Sequence, residues 1–168
     1  MRKVDIDALV DYLYWVSHRL LDAAAPLTAD QFTKVSSVTI RDLRSTLVHE
    51  LDVEWSWRLN LQGRPEEEFD SDKELRPEDY PDVQQLRDHW ARDEAEMRAW
   101  LASLTDDDME ALVPSVLTGD ERPLWQYLLH IVTHGQQQQA DAATLLTVAG
   151  RSPGELSFLE YLRAAEAD

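Results

Sequence analysis

The chain has 168 residues, 43% hydrophobic and 29% charged, a balance that suits one globular domain with a single core. Its 33 acidic residues against 16 basic ones give a formal charge of -17 and leave no Lys/Arg cluster, which argues against nucleic-acid and anionic-membrane partners. Cysteine is absent, so disulfides, thiolate nucleophiles and Cys-bound zinc are excluded, and a metal could be held only by His, Asp, Glu, Gln or water.

The opening MRKVDIDALVDYL meets acidic residues at once and has no continuous apolar core, so it does not read as a signal peptide. No stretch nears the roughly 18 uninterrupted apolar residues of a membrane span, and a cytoplasmic protein is the expectation. A first helix is predicted from about Val4 to Ala24, with Ile6, Leu9, Val10, Leu13, Val16, Leu20 and Leu21 as its apolar stripe. Pro26 follows, and Leu27 to Asp30 reads as a turn into a short polar connection. Thr39 is the expected N-cap of the second helix, with Asp42 in its first turn. Leu43, Leu47, Leu51, Trp55 and Leu59 mark its inner side until Gly63-Arg64-Pro65 stops it.

Residues 64 to 82 are acidic, carry three prolines and read as a surface loop; loops of that length often border a site. The third helix is expected from about Val83 to Ser103, through Leu86, Trp90, Met97, Trp100 and Leu101. From Glu110 to Arg122, β-branched residues around Pro114 and a Gly119-Asp120 turn signal favour a short hairpin or irregular crossover. A fourth helix runs from near Pro123 to near Gly150, and Ser152-Pro153 opens a last short helix carrying Leu156, Phe158, Leu159, Tyr161 and Leu162. Four long helices give an all-α four-helix bundle with a short extra C-terminal helix, in one domain over residues 1–168. The long middle connections permit a topology other than up-down-up-down.

Chemistry concentrates on the fourth helix. His130 and His134 stand four apart and so share a face. At 100° per residue, His130, His134, Gln138 and Asp141 lie within about 80° of arc. A third histidine, His49, sits on the second helix, and imidazoles from two packed helices can hold a divalent ion. The same face also reads as a hydrogen-bonded polar layer in which imidazoles and amides satisfy one another. Of Glu50, Asp52 and Glu54 only some can face inward on a helix, and they read mainly as an exposed acidic flank. His18 and His89 are expected at helix surfaces or edges. The six tryptophans read mainly as core, with Trp57 the candidate pocket wall. No Gly-rich phosphate loop, Ser-His-Asp arrangement or nucleophile elbow is present.

The segment PLWQYLLHIVTHGQQQQADAATLLTVAGRSPGELSFLEYL resembles the last-helix signature of the DinB/YfiT-like family of four-helix-bundle metalloenzymes. STLVHELDVEWSWRLNLQG resembles the family's second-helix motif and YLYWVSHRLLDA its opening, so the resemblance spans the chain. It implies a divalent metal such as zinc or nickel on three positions that here hold His49, His134 and Gln138. The third family histidine is therefore replaced by an amide. Gln139 stands where the family usually has arginine, and Asp141 keeps an acid. An amide oxygen is a weaker ligand than imidazole, so His130 or Asp141 are alternative ligands beside Gln138 and water.

The resemblance further implies a small-molecule substrate, a low-molecular-weight thiol as co-substrate and a homodimer paired through helix faces. Two functions follow as expectations. One is a metal-dependent, thiol-using transferase or isomerase. The other is a metal-free small-molecule-binding or stress-related protein that has lost its third ligand.

Overall fold

The computed structural model describes residues 1–167. Four long helices make the bundle: α1 (Lys3–Ala24), α3 (Leu43–Leu61), α4 (Val83–Ala102) and α6 (Leu124–Val148). Short helices α2 (Ala29–Phe32) and α5 (Asp106–Glu110) lie in the connections, and α7 (Phe158–Ala165) follows the bundle. A two-stranded antiparallel hairpin, β1 (Leu112–Pro114) with β2 (Glu121–Pro123), precedes α6 in the register Val113 opposite Arg122. Gly119 takes a φ of 71° in its turn, a conformation costly for residues with a Cβ. The all-α bundle and its hairpin thus match the sequence reading.

Side-chain pairings fix the helix directions. His49 faces His134, while Trp57 meets Tyr127 and His130, so α3 and α6 are antiparallel. Asp22 pairs with Arg87, His18 with Glu94 and Asp11 with Arg98, so α1 and α4 are antiparallel too. Glu54 accepts from Trp90 and Arg58 pairs with Asp93, which makes α3 and α4 parallel. The order is up-down-down-up. Two parallel neighbours need a connection that travels the length of the bundle, and residues 62–82 supply it. That crossover is tied down rather than loose. Phe69 and Tyr80 are buried, two 3-10 turns shape it, and Leu75 N–H donates to Asp52 Oδ1 at 2.8 Å.

Local signals explain most boundaries and correct four expectations. Asp42, not Thr39, caps α3, its carboxylate accepting from Ser45 N–H at 2.7 Å; Thr39 instead donates to the Arg41 carbonyl. The stretch after Pro26 is not a plain turn, because Thr28 and Gln31 form a capping box that starts α2. The last helix begins at Phe158 with Ser157 as N-cap, well after Ser152-Pro153. Tyr12 and Trp15 of α1 receive it through Phe158 and Tyr161, with ring centroids 5.2–5.9 Å apart.

The fourth correction concerns the inner face of α3. Leu43, Leu47 and Leu51 are buried, but below them the inner positions are Glu54, Trp57, Arg58 and Leu61, not Trp55 and Leu59. Stepping by four residues advances about 40° too far each time, so a stripe built that way rotates out of the core within four steps.

Candidate functional site

The histidines lie in the groove where α3 and α6 pack. A close approach of α1 against α6 sets their depth. A Cβ added to Gly135 would stand 2.4 Å from Leu13 Cδ1, so glycine beside His134 lets the helices close on each other. On the neighbouring face, the rings of His49 and His134 lie 5.2 Å apart at 76°. His130 sits one turn away, 6.2 Å from His134 by ring centroid, exposed to solvent and edge-on to Trp57 at 5.0 Å. Trp57 therefore walls the groove through His130 and Tyr127 rather than by stacking on His49.

Burial governs the imidazoles. It pulls His134 down to about 4, helped by the nearby His49, His130 and Arg41. His49 is lowered for the same reason, then by Arg41, and is partly restored by Glu74. Both rings are therefore neutral at pH 7 and carry a free lone pair. His134 Nδ1 is buried without a hydrogen-bond partner, and so is Gln138 Oε1. Such orphaned polar atoms are uncommon inside proteins, and these two stand one helical turn apart. The donor set of His49, His134 and Gln138 fits a divalent ion as two imidazoles and one amide oxygen, with remaining positions for solvent or substrate. Among the described residues no group of three His, Asp or Glu side chains is set to hold a metal, so neither His130 nor Asp141 joins the pair in this geometry.

Behind the histidines lies a buried polar layer that the sequence reading placed outside. Glu50 and Glu54 are 0% and 1% exposed, and Asp52 is half-buried. Gln139 Nε2 donates to Glu50 Oε1 at 2.8 Å and lies within 3.1 Å of the Leu13 carbonyl and Ser17 Oγ. Trp90 Nε1 donates to Glu54 Oε2 at 3.2 Å. Burial pushes both carboxyls well above the ordinary glutamate range, and mutual repulsion with Glu50 and Asp93 adds to the rise at Glu54. The signal was available in the 3.6-residue period, which puts positions 50, 54, 57, 58 and 61 on the side of Leu43 and Leu47.

His18 and His89 are spoken for elsewhere. His18 Nε2 pairs with Glu94 at 2.7 Å on the surface, and His89 Nδ1 bonds the Tyr80 hydroxyl at 2.6 Å, anchoring the crossover. On its outer side His49 forms a wall of a cavity of about 350 Å3, bounded by Arg41, Ser45, Asp52, Glu74 and Leu75. The acidic 62–82 crossover thus borders the site. No described helix is long and apolar enough to cross a membrane.

Comparison with known proteins agrees with this architecture. The model of the DinB family matches residues 1–168. The fold is similar to the crystal structure of a DinB-like protein from Bacillus cereus ATCC 10987, with a TM-score of 0.66 and 14% identity. The superposition covers 88% of this chain and 94% of that one. No curated protein matches. With the family model spanning every residue and a bundle of matching shape, this chain belongs to the DinB family.

Proposed function

We propose that the α3/α6 groove is a divalent-metal site and that the protein is a thiol-using transferase or isomerase acting on a small molecule. One observation carries the reading: two neutral imidazoles face each other, and His134 Nδ1 and Gln138 Oε1, one helical turn apart, are buried with no hydrogen-bond partner among the described residues. A divalent ion bound there would supply Lewis acidity, lowering the pKa of a bound thiol so that it reacts as thiolate. The protein's own groups do the rest. His49 and His134 stay deprotonated because burial disfavours their cations. His130, exposed one turn from His134, offers a proton acceptor or donor beside the pair, and Trp57 gives that edge an apolar face.

The test uses cobalt as a spectroscopic stand-in. Adding a small thiol to cobalt-loaded protein should produce a thiolate-to-metal charge-transfer band that His134→Ala abolishes. A cobalt-loaded wild type whose spectrum ignores every thiol offered would remove the thiol chemistry. Failure to load at all would favour the metal-free binding protein, a reading supported by the missing third His, Asp or Glu ligand.

A further inference from the structure

We infer that the cavity beside His49 binds the carboxylate end of a small organic acid, with Arg41 as the residue that selects it. The inference rests on reading the groove as the functional site and names the substrate class for it. Arg41 lines the cavity of about 350 Å3 together with Ser45 and His49, a volume within the range of small-ligand pockets. The chain carries twice as many acids as bases, and eight other arginines are engaged in ion pairs: Arg2, Arg58, Arg64, Arg76, Arg87, Arg98, Arg122 and Arg163. Arg41 forms no ion pair among the described residues, which is also true of Arg19, Arg44, Arg92 and Arg151, but of these it alone lines the cavity.

Two acids, Asp52 and Glu74, share the cavity lining with Arg41. Asp52 Oδ1 is used by the Leu75 N–H, fixing the crossover as the cavity's far wall. Glu74 is exposed on that crossover. Ser45 Oγ donates to no acceptor among the described residues, although its N–H is spent on the Asp42 cap. A guanidinium with a hydroxyl in the same cavity lining suits a carboxylate, which guanidinium grips through two parallel hydrogen bonds. The surface as a whole repels anions, so a local cation is what would let one in.

Succinate and its uncharged analogue succinamide test this on metal-free protein by calorimetry and by the His49 ring resonances, and then on zinc-loaded protein. Succinate should saturate and move the His49 signals while succinamide does not. Arg41→Gln should weaken succinate on the order of ten-fold or more, with Arg41→Lys in between, because a charged hydrogen-bond donor is lost at a surface-exposed position that does not hold the fold. Equal binding of the two probes, or succinate binding unchanged in Arg41→Gln, would overturn the assignment. Zinc binding is scored separately: succinate preference without zinc uptake sinks only the metal reading, and zinc uptake without succinate preference sinks only this one.

Discussion

Gln139 on α6 reaches across the core and donates to Glu50 on α3, 2.8 Å away, while its own carbonyl accepts from Gln136 at 3.0 Å. The adjacent positions Gln138 and Gln139 thus differ: the first keeps its Oε1 buried without a partner one turn from His134, and the second ties the bundle's polar layer together. Gln139→Met leaves the volume but strips the donor from a fully buried carboxyl. It should destabilise the fold by about 1–3 kcal/mol, the usual penalty for an orphaned buried group. Glu50→Met in the same chain should recover part of that loss, a coupling that urea denaturation of the four proteins of a double-mutant cycle would read.

Glu54 predicts how stability depends on pH. Its carboxyl is raised well above the ordinary 4.5 in the folded state, first by burial and then by Glu50 and Asp93. The folded protein therefore holds a proton that the unfolded chain has released, and this contribution falls as pH rises from about 4.5 toward the folded value. The histidines act the other way, because His134 is lowered to about 4 and its stabilising effect is complete only above about 6.5. Measured from about pH 4.5 upward, the stability of Glu54→Gln should gain on wild type with increasing pH, since His134 titrates in both proteins and cancels from the difference. Parallel curves would show that Glu54 does not carry the proton.

Gly135 sets the distance between α1 and α6. Alanine there would improve helix propensity by about 1 kcal/mol but place a methyl in contact with the buried end of Leu13, and overpacking of a full core costs about 1–3 kcal/mol. Gly135→Ala should therefore be destabilising by roughly 1 kcal/mol. With Leu13→Ala also present, the same substitution should become neutral or stabilising, since the opposing methyl is gone. Thermal denaturation of the single and double variants decides it.

The relation between sequence and structure follows from which signals are local. Helix extents for α1, α4 and α6 were legible within one or two residues because apolar periodicity and the stops at Pro26, Ser103 and Gly150 agree. The hairpin was legible from Pro114 and Gly119-Asp120. The start of α3 was missed because Thr39 and Asp42 are both good caps and only the path of the chain between α2 and α3 chooses Asp42. The buried Glu50 and Glu54 were missed because charge outweighed period in reading that face, although Gln139, Trp90 and Ser17 from three other helices await them. The pairing of His49 with His134 was legible from helix spacing plus the family resemblance. The cavity with Arg41 was not, since it depends on where the 62–82 crossover comes to rest.

The measurement that bears most directly on the metal site is zinc titration against a chelating indicator for wild type, His134→Ala and Gln138→His. The account predicts one zinc per wild-type chain, loss of that binding in His134→Ala, and affinity raised at least about ten-fold in Gln138→His, as expected when imidazole replaces an amide in the ligand set. Wild type that takes up no stoichiometric zinc, or a His134→Ala variant that binds it equally well, would contradict the metal site.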